Sequence, residues 1–243
     1  MINLKASNNP FFALSCLLQG FKLLGHPDLR KFLLIPLLIN AVLYTTAFVI
    51  GYHSVSAIIH EFIPDWLSWL NWILWPLFFI SFLIAGFFSF TLLANLIAAP
   101  SYSRLSARTL EILNGEALTS VEQPFSKVLL AELKRMGYIG LRMLPLAVLF
   151  LIPVVNLIAP ILWTLFAAWG MAMEFMAYPL EERGLLFAEQ KHFLQQSRIS
   201  TLTFGGVIAV GMALPVVNLL ICQVAVIAAT IFVQQADLVS SDD

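Results

Sequence analysis

Four stretches of the chain, 32–59, 66–103, 143–173 and 199–236, hold no Asp, Glu, Lys or Arg. Each is longer than the roughly 20 apolar residues that a helix needs to cross a bilayer core. The charged residues fall between these stretches, and the pattern predicts an all-α integral membrane protein forming a single membrane domain, 1–243. Its expected parts are an N-terminal interfacial helix ending in a turn (1–31), two long transmembrane helices (32–103), and a basic cytoplasmic helical segment (104–142). A first hairpin (143–173), a polar segment (174–198), a second hairpin (199–236) and an acidic tail (237–243) follow.

The long spans are expected over about 31–52 and 72–99, with Pro36 and Pro76 near their starts and a loop over 53–65. Lys and Arg crowd 104–142 and the N-terminal segment, which the positive-inside tendency places in the cytoplasm. Trp66, Trp69, Trp72 and Trp75 recur every third residue behind Pro64 and Asp65, a favourable helix start. Those residues rise about 13.5 Å along a helix, so a slanted entry through the interface explains them better than an upright one. The first apolar run is interrupted by Lys22, Asp28, Arg30 and Lys31, and no short apolar core precedes a small-residue cleavage site. The first membrane helix is therefore expected to serve as its own insertion signal.

The two later stretches share an internal repeat, Pro153-Val-Val-Asn156-Leu157 and Pro215-Val-Val-Asn218-Leu219. Proline in a helix interior removes a hydrogen bond and costs about 3 kcal/mol, so a turn over 153–160 is the cheaper solution. The arm from 142 to 152 is then about 16 Å long, short of a core of about 30 Å. Arg183, Lys191 and Arg198 beyond the first block match the basic residues before it, so the chain returns to the face it left. A re-entrant, half-penetrating helical hairpin meets both conditions and is the preferred expectation; a pair of full spans with a tight external turn also returns to the same face. Irregular backbone at membrane depth is tolerated where it is buried in protein or lines a wet cavity, and repeated broken segments mark substrate routes in transporters. Asn156 and Asn218 are accordingly candidates for a translocation path.

Composition agrees: 60% of residues are apolar and 11% charged, where a soluble domain carries roughly a quarter charged. Cys16 and Cys222 stand far apart in apolar surroundings without metal-ligand spacing, and read as core or lipid-facing residues. There is no basic tract with interleaved aromatics to bind nucleic acid. No P-loop, dinucleotide-binding glycine fingerprint, His-Glu-x-x-His or Gly-x-Ser-x-Gly occurs, so neither an enzyme nor a cofactor or metal site is expected.

The segment Leu24-Gly-His-Pro-Asp-Leu-Arg-Lys-Phe32 carries the most chemistry. Its glycine and proline make a turn feeding a helix, and free amide N–H groups with Arg30 and Lys31 would converge on an anion. Basic residues also flank many spans simply to fix orientation, and the pattern alone leaves both readings open. Arg104, Arg108 and Glu111 share one helical face, either solvated or lining the mouth of an anion path. Glu174 ends a charge-free run and is a candidate for proton coupling, or else an interfacial acid.

Several separated segments, in order, resemble the bacterial CysZ sulfate transporter family. They are Gln19-Gly-Phe-Lys-Leu23, His26-Pro-Asp-Leu-Arg-Lys-Phe32, Pro36-Leu-Leu-Ile-Asn40, Pro64-Asp-Trp-Leu-Ser-Trp-Leu70, Asn95-Leu-Ile-Ala-Ala-Pro100 and both copies of the repeat. The resemblance implies sulfate uptake for cysteine biosynthesis, long membrane spans combined with half-penetrating hairpins, and a homo-oligomer among lipids of the inner membrane. It also implies a sulfate site at Gly25, His26, Arg30 and Lys31. Two departures stand out: Arg30-Lys31 replaces a common Arg-Arg pair, and Lys lacks the bidentate fork of a guanidinium; Ala107 and Leu110 are apolar on a face where relatives tend to pair acids with bases. Moving a dianion inward against an interior-negative potential of about 100 mV costs roughly 4.6 kcal/mol, so uptake is either passive from high external sulfate or proton-coupled. The competing expectation is a membrane adaptor or biogenesis protein that transports nothing, in which Arg30 and Lys31 are structural.

Overall fold

The computed structural model describes residues 8–62, 69–115, 124–152 and 154–241. All regular structure among them is helical: α1 (Pro10–Leu23), α2 (Pro27–Phe62), α3 (Asn71–Asn114), α4 (Phe125–Leu149), α5 (Ala159–Glu182), α6 (Phe187–Gln196), α7 (Arg198–Ala213) and α8 (Pro215–Ser241). Of these, α5 is both long and apolar enough to cross a membrane by itself. The chain divides into two compact units, Met1–Arg30 with Tyr102–Asp243, and Lys31–Ser101.

In the second unit the outer parts of α2 and α3 pair antiparallel through aromatic rings. Phe48 meets Phe82 edge-on at 5.3 Å and Phe78 at 6.4 Å, and Tyr52 lies 4.9 Å from Trp75. The Tyr44 hydroxyl donates to the Gly86 carbonyl at 2.8 Å. The expected loop over 53–65 is helix as far as Phe62, because 53–62 contains no proline or glycine to stop a helix already propagating. Pro64, Asp65 and Trp66 fall outside the described residues. Trp69 and Trp72 are exposed.

The first unit is built around α8. Its residues Val224–Val233 are buried on every side, and Phe232 collects ring contacts from Phe12 (4.9 Å), Phe204 (6.0 Å) and Phe193 (6.4 Å). The α1 and α5 helices lie against it, and α7 packs most extensively on α5. Two of the glycines permit close helix crossings. A Cβ on Gly20 would stand 2.8 Å from the Ala228 Cβ, and one on Gly205 would stand 1.8 Å from the Ala168 carbonyl oxygen. Gly184 closes α5 with φ +77°, its N–H on Glu181 O and that of Leu185 on Leu180 O. This paired cap requires a left-handed residue.

The two copies of the repeat do not fold alike. After α4 ends at Leu149, Val154 takes φ 70° and Val155–Leu157 form a single 3-10 turn before α5. In the second copy Pro215 is the first residue of α8, only Leu214 is extended, and the Asn218 N–H already donates to Leu214 O at 2.8 Å. Proline at the first helical position loses no intrahelical bond, so the second break is as short as a break can be. Pro153 lies outside the described residues.

Candidate anion site and the charged clusters around it

The turn between α1 and α2 is closed by its own backbone. Leu24, Gly25 and His26 donate to the carbonyls of Gly20, Lys22 and Leu23, and Leu29 and Arg30 donate to that of His26. The Asp28 N–H donates to His26 Nδ1 at 3.3 Å. His26 is thus the N-cap of α2, with Pro27 at the first helical position. A neutral His26 whose Nδ1 accepts carries its proton on Nε2, which is then a donor. Every amide expected to face an anion from this turn has an internal acceptor, and the groups left to meet a ligand are side chains. Leu29 is fully buried while Arg30 and Lys31, the next two residues, are exposed.

Asp28 supplies a link that the sequence did not reveal. Its carboxylate takes Arg108 Nη2 at 2.7 Å, and Glu111 takes Nη1 of the same guanidinium at 2.6 Å. The face of Arg104, Arg108 and Glu111 is therefore joined to the turn across 80 residues of sequence. The two carboxylates raise the Arg108 pKa above its ordinary value, with the hydrogen bond it donates to Glu111 first and that to Asp28 next. Both of its bonding edges are occupied, which leaves Arg104, exposed one helical turn earlier, as the more open cation on that face.

A second polar cluster joins α4 to α5 and α6. Arg135, 6% exposed, reaches Glu132 with Nη1 at 2.8 Å and Glu181 with Nη2 at 2.8 Å; Nη2 also donates to Gln190 at 2.8 Å. Gln190 in turn donates to Leu185 O at 2.9 Å. Glu174 stands on α5 seven residues, two helical turns, before Glu181 and in electrostatic reach of Arg135. At the C-terminal end of the α8 core, Gln234 receives Arg183 at 2.8 Å and donates to Asn114 at 2.8 Å, and Gln235 donates to Gln19 at 3.0 Å. Burial lowers the Arg183 pKa. Ser106 and Thr230, both fully buried, share a hydrogen bond of 3.1 Å between α3 and α8.

Asn156 and Asn218 are exposed at the two breaks. Among the described residues no hydrogen bond or ion pair ties them, or Glu174, to the α1–α2 turn. The sequence pointed to Gly25, His26, Arg30 and Lys31 as one group; Gly25 and His26 lie in the turn, and Arg30 and Lys31 at the start of α2. It missed Asp28, Arg135, Gln190 and Gln234, whose partners lie far along the chain.

A family model described as "Sulfate transporter CysZ/Etoposide-induced protein 2.4" matches residues 16–222. The chain belongs to this family. Relatives named "Sulfate transporter CysZ" include one from Pseudomonas syringae pv. tomato, 39% identical over 88% of both chains. Another from Pseudomonas fluorescens is 37% identical over 88% of this chain and 89% of its own. One from Pectobacterium atrosepticum is 32% identical over 87% of this chain and 80% of its own. These relatives carry the names of transporters, not of enzymes. The helical architecture and the apolar α5 are those of a membrane protein.

Proposed function

We propose that this protein is a multi-pass sulfate permease of a bacterial inner membrane, supplying sulfate for cysteine biosynthesis. The observation that carries the reading is the match, over nearly nine-tenths of both chains, to relatives named sulfate transporters. The α1–α2 turn supplies matching chemistry. Arg30 offers a planar fork to two sulfate oxygens, Lys31 a point charge, and His26 an Nε2 donor, while Gly25 shapes the turn. Because the amides are spent on the turn itself, affinity rests on these side chains.

In the membrane, α2 and α3 act as the two long spans, and α4–α5 and α7–α8 as re-entrant hairpins broken at the repeat. The parts delimited at 32, 104, 143, 174, 199 and 237 together form one membrane domain. Asn156 and Asn218 line the route, Arg104 attracts the anion near its mouth with Arg108 and Glu111 as the braced pair beside it, and Glu174 is the carboxyl placed to couple a proton. Copies assemble into a homo-oligomer among lipids.

Radiolabelled sulfate uptake into liposomes containing the purified chain tests this, beside the Arg30→Ala, Lys31→Ala double variant. Saturable uptake lost in the variant is the expected result. No uptake by the intact protein under either a pH gradient or a potential would overturn the proposal and favour an adaptor.

A further inference from the structure

The face of α4 that follows its last charge combines two features not used by the sulfate route. Tyr138 holds two cations from different helices against one ring: the Arg142 guanidinium carbon is 3.6 Å from the ring centroid, and Lys191 Nζ of α6 is 5.0 Å from it. Cation–π attraction of this kind holds the charges no more than about 9 Å apart. Among the described residues neither cation takes part in an ion pair. Arg142 makes only a long hydrogen bond of 3.4 Å to Tyr138 O, and Phe187 of α6 fixes the ring edge-on at 5.6 Å. Two like charges brought this close by folding repel each other, and an anion between them relieves that repulsion.

The second feature is apolar. Arg142 is the last charged residue before the charge-free stretch 143–173. Leu141, Leu144 and Val148, spaced to share one face of α4, are 71%, 66% and 53% exposed, and Leu151 just beyond is 81% exposed. A pair of cations with no ion-pair partner among the described residues thus sits at the head of an exposed aliphatic stripe. A soluble oxyanion would satisfy the first feature and ignore the second. A molecule carrying a phosphodiester above acyl chains satisfies both.

We propose that Tyr138, Arg142 and Lys191 form a binding site for the phosphodiester headgroup of an anionic phospholipid whose acyl chains lie along Leu141, Leu144 and Val148. Through Lys191 the bound lipid bridges α4 to α6 and reinforces the junction that Arg135 makes one turn earlier.

The test is thermal unfolding of the full chain in neutral detergent, followed by tryptophan fluorescence, with dioctanoyl phosphatidylglycerol added. Dioctanoyl phosphatidylcholine and sodium sulfate serve as parallel titrants. Phosphatidylglycerol should raise the midpoint saturably where phosphatidylcholine does not. The Arg142→Ala, Lys191→Ala variant should bind it about thirtyfold more weakly, the loss expected for two interfacial cations. The Arg142→Lys, Lys191→Arg variant should retain most of the affinity. Equal shifts from both lipids, or an alanine variant that titrates like the intact protein, would overturn the proposal. Sulfate alone producing the same saturable shift, lost in the alanine variant, would overturn the lipid assignment and give the pair to a soluble oxyanion. If the alanine variant does not fold, loss of the phosphatidylglycerol effect at high ionic strength in the intact protein supports the charge contact, and its persistence there sinks it. None of these readouts depends on sulfate transport.

Discussion

Two adjacent glycines on α7 should respond to the same substitution with opposite signs. Gly205 faces the α5 backbone: a Cβ there would lie 1.8 Å from the Ala168 carbonyl oxygen and 2.8 Å from the Ala172 nitrogen. Ordinary contact begins near 3.4 Å, so Gly205→Ala requires the two helices to part by roughly 1.5 Å, and no side-chain rotation relieves a clash with backbone. Since α5 and α7 share an extensive contact within their unit, that separation loosens much of its core. Removing a helical glycine returns about 1 kcal/mol of backbone entropy, whereas overpacking costs typically 1–3 kcal/mol and more when backbone must move. Because the clash here is with backbone, the cost lies at the top of that range or above it, and a net loss of about 2 kcal/mol or more is expected. At Gly206 the nearest atom to a new Cβ is the Ala168 Cβ at 3.8 Å, an ordinary contact, so Gly206→Ala should be neutral or stabilise by up to about 1 kcal/mol. Denaturant unfolding in detergent micelles, monitored by circular dichroism, reads both. Equal midpoints for the two variants would refute the assignment of Gly205 to the helix crossing.

Other consequences are open to similar tests. Arg135→Ala takes the guanidinium from Glu181, which keeps only the Gln190 amide, and from the Oε1 of buried Gln190, and should cost about 3–5 kcal/mol in the same unfolding assay; a loss below about 1 kcal/mol would show that water replaces the guanidinium. Arg108→Ala removes the guanidinium that Asp28 and Glu111 share near Arg30 and Lys31, so saturable sulfate uptake should weaken by a few-fold, and Asp28→Asn in the same chain should restore part of it. Gly184→Ala forces a left-handed alanine and should lower stability by about 1 kcal/mol; an unchanged midpoint would mean that the α5 cap is remade without it. The Ser106→Ala and Thr230→Val variants should each cost about 1 kcal/mol, and their combination less than the sum.

The long charge-free stretches revealed that the chain is helical, and the Pro-Val-Val-Asn-Leu repeat marked two of its breaks, although Pro145 and Pro179 stand inside helices without ending them. Neither revealed that one Pro-Val-Val-Asn-Leu would break over nine residues and its twin over one. That difference is set by where each proline falls in the helix it enters: Pro215 begins α8 with nothing to lose, whereas Pro153 follows a helix already ended at Leu149. The residues of the candidate site, Gly25, His26, Arg30 and Lys31, were readable as a group because they lie close together in one short segment. The Asp28–Arg108 pair was not, since 80 residues separate them and either side chain alone reads as an ordinary surface charge. The expectation that amides would hold the anion failed to foresee that His26 caps its own helix, a choice made by three-dimensional geometry and not by composition. Gly205 and Gly206 are indistinguishable in the sequence, and only the approach of α5 separates them.

Leu29 gives the turn an angular setting. It points wholly inward between Asp28, which engages Arg108, and Arg30, which faces out. Successive helical residues are about 100° apart, so the buried leucine works as an index mark that determines which bearings the next side chains occupy. Inserting one residue between Gly25 and Leu29 would preserve every charge and every helix-forming residue, yet roll the first turn of α2 by that angle and aim Arg30 and Lys31 somewhere else. The spacing of this segment therefore carries as much information as its residues do.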